Sequence, residues 1–206
     1  DRDTLWVGYD YGEGTMSPSG YPLTTRKWSR GTKLEDATEI FRGEPTDVSA
    51  GGSFYYDKDE KYAMFYRMAT FNDIEYYYWF EGDKDLTKVK WIASSCRIQT
   101  FKKKVLIMPK EVWSFGGKVY KAGRLLSCDF ETFVKEGHLD AVFLGAGART
   151  VGEEPKCDIQ ILYEPANDRC AYEGATDSRD YLYVSSLENL RSKITVYRFD
   201  DATNAF

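Results

Sequence analysis

Residues Tyr21 to Phe41 read YPLTTRKWSRGTKLEDATEIF, and residues Lys121 to Phe143 read KAGRLLSCDFETFVKEGHLDAVF. Each opens as an aromatic, basic strand, passes through a polar stretch with a short turn of helix, and returns as a second strand. A third copy, Lys193 to Ala202 (KITVYRFDDA), begins the same way and lacks the return strand. Strands recurring at this spacing predict an all-β chain built from repeated small sheets. The truncated third copy and the start at Asp1 carry a further expectation, that the chain is a piece of something larger.

Composition agrees with the strand reading. The chain has 206 residues, of which 16% are aromatic, with 16 tyrosines, and a mean hydropathy of -0.54. Tyr, Trp, Phe, Val and Thr suit a pleated surface with one wet face, whereas a helical protein of this size would carry more Ala and Leu at helical spacing. Apolar or aromatic strands are expected at Leu5 to Asp10, Tyr62 to Thr70, Val105 to Met108 and Tyr181 to Ser186. A propeller blade of about 40 to 50 residues fits between their starts once the last interval is allowed an insertion. The small, charged run Gly145 to Lys156 (GAGARTVGEEPK) is the candidate for that insertion.

Partner strands are expected at Thr24 to Ser29, Ala37 to Phe41, Glu75 to Phe80, Val89 to Ala93, Gly123 to Cys128, Asp158 to Tyr163 and Ile194 to Phe199. Helix is confined to Lys33 to Ala37 and Glu131 to Glu136. Turns are expected at Ser17-Pro18-Ser19-Gly20, Gly43-Glu44-Pro45, Gly51-Gly52, Glu81-Gly82-Asp83 and Gly116-Gly117, where Gly and Pro break a run. The strands amount to about three to four blades, treated as one partial propeller domain over residues 1–206. A ring of that count is incomplete and leaves open strand edges, so self-association is expected.

Charge excludes some partners. A net charge of -5 and a pI near 5.1 argue against nucleic acid or a membrane surface as partner, because phosphate binding needs clustered Lys and Arg. The basic run Lys102-Lys103-Lys104 reads as a solvated hairpin loop. No apolar segment approaches the roughly 20 residues of a membrane-spanning helix. The compartment is not legible.

No catalytic, cofactor-binding or metal-ligating residue is assigned. The G-x-S-x-G elbow of α/β-hydrolases does not occur, and the one histidine, His138, lies in a turn context without a nucleophile nearby in sequence. Asp57-Lys58-Asp59-Glu60 lacks the glycine and terminal glutamate of a calcium loop. Gly145-Ala146-Gly147 with Gly152 misses the spacing of a dinucleotide fingerprint. Cys96, Cys128, Cys157 and Cys170 show no zinc spacing and read as isolated thiols, with Cys157 and Cys170 able to pair in an oxidising compartment. In Glu75 to Phe80 (EYYYWF), Tyr76, Tyr78 and Phe80 are expected on one packed face, and Tyr77 and Trp79 on the other.

Several stretches resemble a known family. Gly8 to Gly43, with Asp10-Tyr11-Gly12, Ser19-Gly20-Tyr21-Pro22, Trp28-Ser29-Arg30-Gly31 and Glu39-Ile40-Phe41-Arg42-Gly43, is similar to the propeller of prolyl oligopeptidase-like serine peptidases. Trp113 to Phe133, Asp158 to Pro165 and Tyr181 to Val196 resemble later blades of the same proteins, in the same order. The resemblance implies a partial seven-bladed β-propeller that gates access of oligopeptides to an α/β-hydrolase domain cleaving after proline. That hydrolase domain, with its Ser, Asp and His triad, is the implied partner. No catalytic residue carries over to this chain, which on this reading is inactive alone. The alternative is a stand-alone propeller-like module that binds a protein or glycan.

Overall fold

A computed structural model describes residues 3–57, 60–137 and 156–206. Sixteen strands are described: β1 (Thr4–Val7), β2 (Thr24–Ser29), β3 (Thr38–Arg42), β4 (Ser49–Asp57), β5 (Glu60–Met68), β6 (Ile74–Phe80), β7 (Thr87–Val89), β8 (Arg97–Phe101), β9 (Lys104–Met108), β10 (Trp113–Phe115), β11 (Lys118–Tyr120), β12 (Leu125–Asp129), β13 (Gln160–Tyr163), β14 (Cys170–Asp177), β15 (Tyr181–Glu188) and β16 (Arg191–Arg198). The helical elements are a 3-10 turn at Leu34–Asp36 and α1 (Phe130–Glu136). The expected all-β fold is present.

The chain divides into two compact units, Asp1–Lys90 and Trp91–Phe206. The first holds two antiparallel sheets, ordered β1-β2-β3 and β4-β5-β6-β7. The second holds sheets ordered β13-β12-β9-β8 and β14-β15-β16, with the hairpin β10-β11 beside them. These four meander-like sheets are the blades of a partial β-propeller, matching the three to four expected.

In the first unit the alternation of β6 decides how its sheet packs. Ile74, Tyr76 and Tyr78 are buried on one face. Tyr77 and Trp79 point the other way, into a cluster with Phe41, Ala50, Ala63, Phe65, Trp6 and Ile40. There the two sheets meet. Trp6 stacks on Phe65 with ring centroids 5.0 Å apart, and Phe41 lies 4.7 Å from Phe65. Offset and tilted rings of this kind add about 0.5 to 1.5 kcal/mol per pair beyond their buried area.

The Gly51-Gly52 turn is a correction. Both residues lie inside β4, paired with Tyr66 and Phe65 across the ladder. A Cβ on Gly51 would lie 2.9 Å from the Tyr66 hydroxyl oxygen, and one on Gly52 would lie 2.7 Å from Cε1 of Phe65. The glycines let aromatic rings lie down on the strand, a close-approach role and not a chain reversal. The other expected turns hold: Gly20, Gly82, Gly116 and Gly117 all have positive φ. The expected strand Val89 to Ala93 is corrected to β7, which ends at Val89.

In the second unit, the sheets β8-β9-β12-β13 and β14-β15-β16 share a core of Phe101, Leu106, Leu125, Leu162, Leu182, Val184 and Phe199. Helix α1 follows β12 directly. Asp129 caps it by accepting the Thr132 amide at 2.9 Å, and also accepts from Asn204 Nδ2 at 3.1 Å. An N-cap of this type stabilises by about 1 kcal/mol. The return strand expected after α1 lies outside the described residues, as does most of the run 145–156.

The lysine run is half corrected. Lys102 and Lys103 do form the β8-β9 hairpin loop, but the Lys102 side chain is only 6% exposed. Its ammonium sits 3.1 Å from Asp180, 2.8 Å from Asp201 and 5.2 Å over the Phe199 ring. Lys102 has a positive φ of 50°, as the favoured turns of a two-residue hairpin loop require. Both carboxylates are nearly half exposed and can rehydrate, so Lys102→Met is expected to destabilise by about 1 kcal/mol. Urea unfolding would check this; an unchanged midpoint would mean that the clamp contributes nothing.

Candidate functional site

A cluster of charged residues of the first unit, Glu44, Asp47, Arg67, Glu75 and Lys88, gathers beside the seam between its two sheets. Arg67 on β5 projects beside Ala50 and Glu75, its partners across the ladder. Its guanidinium donates to both oxygens of Asp47, Nε to Oδ2 at 2.8 Å and Nη2 to Oδ1 at 3.1 Å. Asp47 is 2% exposed, and its Oδ2 also accepts the Glu44 amide at 2.7 Å. Burial works to raise the Asp47 carboxyl, but the Arg67 and Glu44 hydrogen bonds outweigh it and hold the group below the usual carboxylate range. The Arg67 guanidinium is raised in turn, chiefly by its hydrogen bond to Asp47.

Glu75 extends the network. It takes Lys88 at 2.7 Å and the Tyr77 hydroxyl at 2.7 Å, and lies 3.5 Å from Arg67. The hydrogen bond from Lys88 lowers the Glu75 carboxyl, while burial, and then Glu75 itself, raise the Tyr77 phenol. Each strong donor here faces an acceptor, so the network fixes the strands. It lacks a nucleophile poised against a base.

Elsewhere the seam opens. A cleft of about 730 Å³ lies between the sheets, walled by Trp6 and Ile40 on one side and by Gly52, Phe54, Ala63 and Trp79 on the other. The Phe65 ring, lying over Gly52, forms part of its floor. Phe54 and Leu86, both 38% exposed, stand on the Trp79 side. Lys27, paired with Trp6 across β1-β2, is the ionisable residue among the described residues of the lining. Sequence reasoning assigned no site here. The signal available was the EYYYWF alternation together with the paired glycines of β4.

His138 and the Gly145-Ala146-Gly147 run lie outside the described residues, as do Lys58 and Asp59 of the acidic run. Among the described residues no group of three or more His, Cys, Asp or Glu is arranged to hold a metal ion. Cys157 and Cys170 do not form the disulfide allowed by their spacing, and neither do Cys96 and Cys128. Burial pushes the Cys96 thiol up to about 11, which makes it a poor nucleophile at neutral pH.

Against known proteins, no family profile matches the chain. An uncharacterised peptidase, y4nA, of Sinorhizobium fredii is 26% identical over 204 residues, which is 97% of this chain and 26% of the relative. The structure of a post-proline cleaving enzyme from Rickettsia typhi superposes with a TM-score of 0.77 at 17% identity, over 98% of this chain and 27% of that one. The fold is that of part of a prolyl endopeptidase. A structure from a study of two prolyl endopeptidases agrees at a TM-score of 0.54 and 12% identity, covering 95% of this chain and 24% of that one. The chain thus spans about a quarter of the length of the peptidases it matches, and the resemblance read in its strand motifs holds.

Proposed function

We propose that the chain is the propeller portion of a prolyl oligopeptidase-like serine peptidase, gating the entry of short peptides to a hydrolase domain that cleaves after proline. The observation that carries this is the superposition of 98% of the chain on about a quarter of a post-proline cleaving enzyme, at a TM-score of 0.77. The 26% identity to a peptidase over nearly the whole chain supports it from sequence. Catalysis then belongs to the hydrolase domain, and the ion pairs and aromatic seam of this chain keep the gate rigid. The exposed apolar side chains on β16, Ile194 at 65% and Val196 at 53%, support a role against further protein.

The test compares the 206-residue chain with the intact polypeptide that contains it, using a fluorogenic peptide with proline before the scissile bond. The intact polypeptide is expected to cleave that peptide and to spare a folded protein, and the chain alone to turn over neither. Turnover by the chain itself, or none by the intact polypeptide, would defeat the reading.

A further inference from the structure

The open cleft in the first unit is more than a packing gap. Its volume, about 730 Å³, falls in the range of about 300 to 1,000 Å³ typical of small-molecule sites. Four aromatic side chains line it, Trp6, Phe54, Phe65 and Trp79, and neighbours hold its two indoles in place. Trp6 is fixed by stacking on buried Phe65 and by an edge contact with Phe54 at 5.5 Å. Trp79 is fixed by its indole N–H, which donates to the Asp83 carbonyl at 2.8 Å. Rigid, pre-placed aromatics bind apolar surface with little ordering penalty.

The charge of the lining selects the ligand. Among the described residues no acidic side chain lines the cleft, and Lys27 supplies the one formal charge. Lys27 takes part in none of the ion pairs of the described residues, whereas its neighbour Arg26 is paired with Glu39. A cation would be repelled, which removes the usual attraction of Trp faces for ammonium groups. A sugar would find few hydrogen-bonding partners, since the polar side chains besides Lys27 are Thr4 and Ser53.

We propose that this cleft binds an apolar carboxylate, an aryl or alkyl chain that lies against Trp6, Phe54 and Trp79 and meets Lys27 with its charge. The inference stands on the cleft and is independent of the peptidase reading. Two sources share this chemistry, a free organic acid and the C-terminal residue of a hydrophobic peptide.

The chain has five tryptophans, and two of them line the cleft, so indole N–H signals in a proton–nitrogen correlation spectrum report occupancy by position. Phenylvalerate is expected to shift Trp6 and Trp79 saturably and to leave Trp28, Trp91 and Trp113 unmoved. Its neutral amide, or Lys27→Gln with the acid, is expected to bind about three- to tenfold more weakly, as for a partly desolvated ion pair. Lys27 is exposed, so the variant should keep its melting temperature. An acetylated tripeptide ending in Leu-Phe with a free carboxylate separates the sources: tighter binding than phenylvalerate assigns a peptide end, weaker binding a free acid, and both sustain the proposal. Equal affinity for acid and amide, or shifts spread over all five indoles, would overturn it. So would Trp6 and Trp79 shifts that follow protein concentration without any probe, which would place a second copy of the chain in the cleft.

Discussion

Arg67→Met is expected to lower the stability of the first unit by about 3 kcal/mol at neutral pH, and by about 1 kcal/mol near pH 4. The substitution strips the Arg67 hydrogen bonds from the Asp47 carboxylate, which is 2% exposed in the parent chain, and leaves it the Glu44 amide. A buried charge stripped of its partner is the expensive half of an ion pair, and Asp47 is the more buried member, its side chain 2% exposed against 21% for Arg67. The converse variant, Asp47→Asn, should therefore cost less, about 1 to 2 kcal/mol, because Arg67 keeps Glu44 and Glu75 within 3.6 Å and 3.5 Å.

The pH dependence follows from the direction of each shift. In the parent chain the Asp47 carboxyl lies below its ordinary 3.8, so its contribution is present above that value and lost as pH falls through the lower, folded value. In Arg67→Met the hydrogen bonds and charge of Arg67 are gone and the Glu44 amide alone opposes burial, so the folded value moves up from its parent position. The variant is then penalised fully above its raised value and recovers as protonation removes the buried charge. The two curves should converge toward acid. Denaturant unfolding at neutral and mildly acid pH measures both, and a difference that is constant with pH would show that Arg67 acts through packing alone.

Fold class was legible because it rests on period-two patterns that survive without tertiary knowledge. The strands β2, β6 and β15 were readable from their own aromatic and β-branched alternation. The strands that escaped notice carry the wrong local signal. β4 (SAGGSFYYD) holds two glycines, which in isolation mean reversal, and only the rings of Tyr66 and Phe65, reached across the ladder, explain them. β8 (RIQTF) is short and mixed, and its burial comes from pairing with β9. Lys102 shows the same limit for charge, since Asp180 and Asp201 stand 78 and 99 positions away in sequence. The cleft was illegible for a related reason. Its two walls come from different sheets, and its openness depends on where packing stops, a property no single strand carries.

The floor of that cleft gives the sharpest test of the aromatic seam. Gly52→Ala is expected to destabilise by about 2 to 3 kcal/mol, because the new methyl would lie 2.7 Å from Cε1 of Phe65 and still closer to Cδ1. Phe65 cannot retreat: it is 4% exposed, stacked on Trp6 and pressed against Phe41 at 4.7 Å. Alanine gains up to about 1 kcal/mol over glycine in a strand from backbone entropy, so the clash wins by a modest but measurable margin. Gly174 in β14 is the control, since a Cβ there meets nothing within 4 Å. Gly174→Ala should be neutral or slightly stabilising. The Gly52 variant should also move the Trp6 indole signal, because the ring it displaces is the one on which Trp6 rests. A Gly52→Ala protein as stable as its parent would mean that Phe65 has room to shift, and that the seam is looser than its ring contacts indicate.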